Sequence, residues 1–325
     1  MTIAVSVALC THNGSAFIAE QLRTIVAQSV PPAEIVVSDD ASSDRTLEIV
    51  HEFAGTLDAS IRFVVLENPE PLGVVPNFEQ AMRATTGDFI ALSDQDDVWH
   101  PGRLEAVLDR FADSPDLLLV SGDARLVDAN GAPLGETLFS ALEIRDADID
   151  SINGGRALDE LLRRNLVTGA TTVIRRSLFE LAAPFPDPWV HDEWLAIIAA
   201  STGSIRVITD RLTDYRQHDG NQIGASKLGL SGKFGRLREP RLGRNDYLLD
   251  RATVLLARLD DLGDAVAPGV VDRVREKVVH QRARAALPAS HLRRVLPVLR
   301  EAATGRYWLY SRGWLDIARD LVQPA

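Results

Sequence analysis

The chain has 325 residues, 46% of them apolar and 25% charged, with 22 Gly, 16 Pro and one Cys, a globular composition that excludes a disordered chain, a collagen-like repeat and a disulfide scaffold. Cys10 by itself forms no internal disulfide and leaves too few sulfur ligands for a zinc ribbon or an iron–sulfur cluster, so a reducing cytoplasm is the expected compartment. The net charge of −11 is uneven: residues 1–225 carry 16 Lys and Arg against 35 Asp and Glu, and residues 226–325 carry 19 against 11, an acidic body that argues against general nucleic-acid binding.

No apolar run approaches the roughly 18 residues that span a bilayer. The first basic residue is Arg23, so a signal peptide's charged n-region is not expected either. Ile3 to Leu9 is a short apolar run ending in Thr11-His12-Asn13-Gly14, and Ile18, Leu22, Ile25 and Val26 follow at helical spacing. Pro31-Pro32 breaks that helix. Glu34 to Val37 starts a second strand that runs into Ser38-Asp39-Asp40-Ala41-Ser42-Ser43-Asp44. A helix over Thr46–Phe53 and a strand over Ile61–Leu66 complete a β-α-β-α-β alternation, the pattern of an α/β fold.

The spacing then predicts a helix from Asn77, with Asn77 as its N-cap, to about Ala84. The strand Asp88–Leu92 delivers Ser93-Asp94-Gln95-Asp96-Asp97 at its C-terminal end. Ligands of open α/β sheets bind outside the carboxyl ends of the strands, so the two acidic clusters should converge on one crevice. A helix over Arg103–Phe111, a strand over Leu117–Ser121, a less regular stretch to Gly155, a helix at Ala157–Arg164, a strand at Ala170–Ile174 and a helix from His191 follow. Beyond about Ala225 the texture changes to Lys- and Arg-rich helices near 245–262, 270–286 and 291–303. The expected boundary therefore lies near residue 226, between an acidic α/β body over 1–225 and a basic helical region over 226–325.

Paired carboxylates spaced as Asp94-x-Asp96 suit a hard divalent cation, Mg²⁺ or Mn²⁺, that keeps its remaining positions for water and substrate phosphates. A solvated acidic turn is the plain alternative for any single D-x-D. Here three Asp among four residues lie directly behind an apolar strand, and a second cluster follows another strand, which favours the cation.

Thr11-His12-Asn13, Asp39-Asp40-Ala41-Ser42-Ser43-Asp44-Arg45-Thr46 and Gly87 to Trp99 together resemble family 2 glycosyltransferases of GT-A fold, a Rossmann-like mixed sheet flanked by helices. His191-Asp192-Glu193-Trp194 and Tyr215-Arg216-Gln217-His218-Asp219-Gly220-Asn221 are similar to the bacterial rhamnosyltransferase branch of that family. The resemblance covers about residues 1–225, with a weaker echo to the end, and implies transfer of a sugar from a nucleotide-diphosphate donor to an acceptor hydroxyl with inversion. It implies that Asp39 and Asp40 read the donor base, Asp40 accepting from a pyrimidine N3–H, with Thr11 and Asn13 lining the same pocket. An Asx-type turn cap is the alternative for Asp40. Asp94 would sit nearer the ribose and Asp96 on the metal, whose charge stabilises the departing diphosphate. Asp192 matches the family's general base, with a simple helix cap as the alternative and Glu193 in reserve. Arg216 and His218 are implied at the diphosphate or the metal, and Gly220 and Gly224 flank a segment implied to close over bound donor. For Trp99 and Trp194, core packing is favoured over stacking on a sugar. The sequence departs from the family where His12 replaces the frequent Tyr, Ala41 a Gly and Asp219 a Gly. The resemblance names dTDP-rhamnose as first donor, with a UDP-sugar next, in synthesis of a cell-surface polysaccharide, another glycoconjugate or a natural product.

The C-terminal region carries Arg273, Arg275, Lys277, Arg282, Arg284, Arg293 and Arg294, then Tyr307-Trp308-Leu309-Tyr310 and Trp314. Cationic helices with aromatic neighbours suit an anionic bilayer surface presenting a lipid-linked acceptor, and equally suit a face packed on the catalytic domain or on a second subunit. The acceptor class, whether glycan, lipid-linked or small molecule, stays open. Two rival readings are a sugar nucleotidyltransferase, which would want a Gly-rich, Arg-containing loop after the first strand, and a catalytically silent glycan- or protein-binding homologue. Walker A, G-x-G-x-x-G and H-E-x-x-H patterns are absent.

Overall fold

The computed structural model describes residues 4–218 and 241–324. Its centre is one nine-stranded sheet, β1 (Val5–Thr11), β2 (Glu34–Asp39), β3 (Arg62–Glu67), β4 (Phe89–Ser93), β5 (Val98–Trp99), β6 (Leu117–Val127), β7 (Pro133–Thr137), β8 (Thr172–Arg175) and β9 (Ser204–Arg216). The strand order is β3-β2-β1-β4-β8-β6-β9-β5, with β7 paired to β6. β3, β2, β1 and β4 run parallel, whereas β8 is antiparallel to both β4 and β6, which makes the sheet mixed. β1, β2 and β4 are buried along their whole length, the reason they read as continuous apolar runs rather than as alternation.

Helices cover both faces. Val7, Leu9, Ile35 and Val37 meet α1 (Ile18–Val26), α2 (Thr46–Ala54) and α4 (Arg103–Ala112) through Leu22, Val50, Val107 and Phe111. Ala8, Val36, Ile90 and Leu92 meet α3 (Val74–Ala84), α7 (Ala157–Leu161), α8 (Arg176–Ala182) and α9 (His191–Thr202) on the other face. Between β7 and α7 lie α5 (Leu138–Ala141), α6 (Asp146–Ser151) and a π-helical turn.

α3 begins three residues earlier than the sequence predicts, with Gly73 at φ +88° as its N-cap, and Pro76 lies inside the first turn. Proline is tolerated there because the first N–H groups of a helix have no intrahelical partner. Asn77 is consequently no cap. It is buried, accepting from Ser38 Oγ at 2.6 Å and donating to the Ser38 carbonyl at 3.0 Å, and so pins α3 to β2. β9, thirteen residues long, is an element the sequence pattern does not announce. Its register against β6 shifts twice around Asp123, and five of its residues are Arg or Asp.

The C-terminal helices are α10 (Arg241–Leu262), α11 (Val270–Ala285), α12 (His291–Ala303), α13 (Arg306–Tyr310) and α14 (Trp314–Val322). Leu255, Leu259, Val270 and Val274 of α10 and α11 share the core that holds Trp189, Trp194 and Leu195. α12 to α14 close around a smaller cluster of Leu287, Val298, Tyr307 and Ile317. The division expected at residues 225 and 226 lies outside the described residues.

Candidate active site

Three parallel strands end side by side: Thr11 lies opposite Asp39, and Leu9 opposite Ser93. The loops that follow them therefore meet, as expected for ligand-binding loops at carboxyl ends of a parallel sheet. The N-terminus of α9 brings Asp192 to the same place. The result is a cleft of about 470 Å³ whose walls include Thr11, Asn13, Asp40, Asp94, Asp96, Asp192 and His218.

Two expected site residues are turned to other work. Asp39 is fully buried, and its carboxylate accepts from Thr11 Oγ1 at 2.7 Å, from the Ser42 backbone N–H at 2.8 Å and from Ser42 Oγ at 2.6 Å. It ties β1 to the loop after β2. Arg216, expected at the diphosphate, is 3% exposed and donates to the Asp96 carbonyl at 2.8 Å, the Ala129 carbonyl at 2.9 Å and Glu20 at 2.7 Å. It clamps the Asp94–Asp97 loop to β9, because that loop's backbone is buried and its carbonyls need donors.

Asp40 faces the cleft and also accepts from the backbone N–H groups of Leu72 at 2.6 Å and Gly73 at 3.0 Å, just ahead of α3. Ala41, beside it, has φ +57°, a left-handed conformation that glycine adopts at no steric cost, which accounts physically for the Gly usual at this place. Asn13 Oδ1 accepts from the Ser43 N–H at 2.8 Å, joining the first two loops.

Gln95, to which the sequence assigns no role, bridges the first and third loops. Its Oε1 accepts from the His12 N–H at 2.8 Å and its Nε2 donates to the His12 carbonyl at 3.0 Å. A Cβ at Gly14 would fall 2.1 Å from Gln95 Oε1. Gly14→Ala is therefore expected to cost about 1–3 kcal/mol in urea unfolding, and Gly14→Ala with Gln95→Ala to be no less stable than Gln95→Ala alone. Simple additivity of the two losses would place the strain elsewhere.

The electrostatics separate the acids. Burial, with repulsion from Asp96 and Asp192, pushes the Asp94 carboxyl up to about 7. Burial likewise pushes Asp192 up to about 6, against the backbone N–H groups of Gly169 (2.9 Å) and Glu193 (2.7 Å) that its oxygens accept. Each oxygen keeps a second lone pair. Glu193 turns away to pair with Arg251 of α10, whose guanidinium lies 3.9 Å from the Trp189 ring centre. Asp97 is buried beneath the loop and raised by burial and by Asp96 and Asp94. Burial and the nearby Asp94 and Asp40 also raise the Cys10 thiol, which excludes it as a nucleophile at neutral pH.

His218 Nε2 meets Asp96 Oδ2 at 2.8 Å. Among the described residues no three His, Cys, Asp or Glu side chains converge on one point. Asp96 and nearby Asp94 offer the one or two carboxylates that suit a Mg²⁺ completed by water and phosphate oxygens, and not a self-sufficient protein cage. His191 is a second residue without a sequence-assigned role. It is 5% exposed, it stacks on Phe78 with ring centres 4.0 Å apart, and neither ring nitrogen has a hydrogen-bond partner. Burial pushes its pKa down to about 3, so a neutral imidazole lines the cleft. Trp99 and Trp194 are core residues, as favoured from sequence. Asp219, Gly220 and Gly224, with the closing segment they flank, lie outside the described residues.

The mixed sheet and its flanking helices are shared with solved structures: S. aureus TarS residues 1–349 in complex with UDP-GlcNAc (TM-score 0.57, 17% identity, 86% of this chain and 72% of that one), and the mannosyltransferase PcManGT from Pyrobaculum calidifontis in complex with GDP-Man and Mn²⁺ (TM-score 0.53, 20% identity, 98% and 78%). The fold is GT-A, as the sequence resemblance implied. In sequence, the chain is 27% identical over 269 residues to the dTDP-rhamnosyl transferase RfbG of Shigella flexneri, covering 78% of this chain and 85% of that protein. The Glycosyl transferase family 2 model matches residues 6–180, a span that holds both acidic loops and more than half of the sequence, and by that match the chain belongs to glycosyl transferase family 2.

Proposed function

We propose that the protein is an inverting, divalent-cation-dependent glycosyltransferase that moves a sugar, rhamnose from dTDP-rhamnose as first choice, onto an acceptor hydroxyl. The observation that carries this reading is the meeting, in one cleft, of a carboxylate raised to about 6 at the head of α9 with the Asp94–Asp96 pair at the end of β4. A base tuned toward neutral pH suits removal of a hydroxyl proton. As the acceptor oxygen attacks the anomeric carbon, its proton passes to Asp192, the new C–O bond forms, and the bond to the diphosphate breaks on the opposite face. The backbone donors from Gly169 and Glu193 hold the Asp192 carboxylate in place for that transfer.

Asp96 and His218, with Asp94, would hold Mg²⁺ or Mn²⁺, which neutralises charge on the leaving diphosphate when bound. Asp40, Thr11 and Asn13 form the base end of the donor pocket. Arg216 supports it by fixing the backbone of the Asp94–Asp97 loop. The neutral His191, stacked on Phe78, closes the cleft wall beside Asp192 with its ring nitrogens buried. The choice of rhamnose is supported by the RfbG likeness and by the HDEW and YRQHDGN stretches.

The first experiment is donor binding by thermal shift, with nucleotide sugars and free nucleoside diphosphates, each with and without Mn²⁺ or Mg²⁺. A cation-dependent rise in Tm, largest for dTDP-rhamnose, is the expected result, since a ligand stabilises the folded state by mass action. A larger rise with a UDP-sugar would replace the donor and leave the reaction class. No rise with any donor would favour a silent homologue.

A further inference from the structure

The outward surface of α12 to α14 has a composition unlike the rest of the molecule. On α12, Leu292, Val295, Leu296 and Leu299 recur at i, i+3, i+4 and i+7, the spacing of a helix face meant for burial, yet Leu292 is 87% exposed and the others are exposed with it. The opposite face of α12 is the one that packs, through Arg294 and Val298. α14 adds Trp314, 73% exposed, Leu315 and Val322, and Trp308 of α13 meets Trp314 edge to face at 5.3 Å. The three helices pack on one another.

The charges of residues 291–324 are sorted by side. All three carboxylates point inward and are paired: Glu301 with His280 (2.8 Å), Asp316 with Arg244 (3.4 Å) and Arg319 (3.3 Å), and Asp320 with Arg284 (2.6 Å) and Arg244 (2.9 Å). Arg293 and Arg300, seven residues apart, are exposed along one edge of the leucine face. The outer face is thus apolar, flanked along one side by two arginines and edged by two tryptophans, with no carboxylate of these helices on it.

We propose that α12 to α14 form an interfacial membrane anchor that lays this face on an anionic lipid surface. Leucines and tryptophans enter the headgroup boundary while Arg293 and Arg300 meet lipid phosphates. A second copy of the chain fits less well, because a symmetric contact would set these arginines against their own kind with no carboxylate of the face to pair them. Among the described residues no helix is long and apolar enough to cross a membrane, so the contact lies in the plane of the surface. The proposal is independent of the donor and the base assigned above, and its failure would leave both standing.

The test is sedimentation of the full chain with vesicles of phosphatidylcholine alone and of phosphatidylcholine mixed with phosphatidylglycerol. The wild-type chain is expected to sediment with the anionic vesicles and to be released by salt. Arg293→Gln with Arg300→Gln should weaken that binding about 25-fold, at about 5-fold per arginine, and Leu292→Ser, Leu296→Ser and Trp314→Ser together about 100-fold or more. Unchanged Tm in these surface variants separates lost docking from lost folding, and the arginine pair, which removes no packing, gives the answer if the triple variant does not fold. Wild-type protein left in the supernatant, or variants that sediment as wild type does, would overturn the proposal. So would light scattering showing a lipid-free dimer that the triple variant splits, which assigns the face to a second copy.

Discussion

Asp192→Asn is expected to lower kcat by about 10²- to 10⁴-fold, the range of a positioned general base, with donor-induced thermal stabilisation close to wild type. The same side chain sets a pH limb. Burial raises its pKa to about 6, so the unprotonated form is complete well above that value and is lost as pH falls through it. At saturating substrates, kcat of the wild-type enzyme should decline below about pH 6, and the Asn variant should lack that limb. Glu193→Gln is the control: its carboxylate pairs with Arg251, away from the cleft, so the limb should persist there. An Asn variant with wild-type kcat would move the base to another residue, and one with lowered kcat that keeps the limb would assign that limb to Asp94, pushed up to about 7 by burial and its acidic neighbours.

Chelation is expected to have the second large effect. EDTA treatment followed by desalting should remove transfer activity, and added Mn²⁺ or Mg²⁺ should restore it. Asp96→Ala and His218→Ala should each reduce the restored rate by about 100-fold or more, since a cation's stabilisation of a leaving diphosphate amounts to several kcal/mol. A readout without turnover accompanies it: the Tm rise given by a nucleoside diphosphate in Mn²⁺ should vanish in Asp96→Ala. Full activity after EDTA and desalting would remove the cation, and the roles of Asp96 and His218 with it.

Much of the fold is legible in the residues because its central strands are buried on both faces. Val5–Thr11, Glu34–Asp39 and Phe89–Ser93 are short continuous apolar runs bounded by polar loops, a pattern that needs no partner to be recognised. The helices α11 and α12 fall close to their predicted spans for a related reason, since Pro288 and the Gly and Ser residues beside them punctuate the chain locally. β9 escapes the pattern because what makes it a strand is its neighbours β6 and β5. Its bulges break the alternation, and Arg211 and Asp214 find their opposite charges, Asp123 and Arg125, only across the sheet. The early start of α3 is hidden by Pro76, which reads as a breaker unless the helix is known to begin just before it.

The sequence alone determined the chemistry on offer: acidic loops behind the second and fourth strands, an Asp at the head of a helix, an Arg-Gln-His run and the family these resemble. It also determined that the acidic loops would meet, because parallel strands deliver their carboxyl ends to one edge. Only the tertiary structure decided which polar side chains are consumed by the protein's own backbone and which are left for a ligand. Asp39 and Arg216 are satisfied by hydroxyls, carbonyls and Glu20, whereas Asp40 and Asp192, each held by backbone N–H groups, still line the cleft. It decided the raised pKa of Asp192 and the outward apolar face of α12 as well. Burial and hydrogen-bond satisfaction are properties of what surrounds a group in space, and residues distant in the chain supply those surroundings.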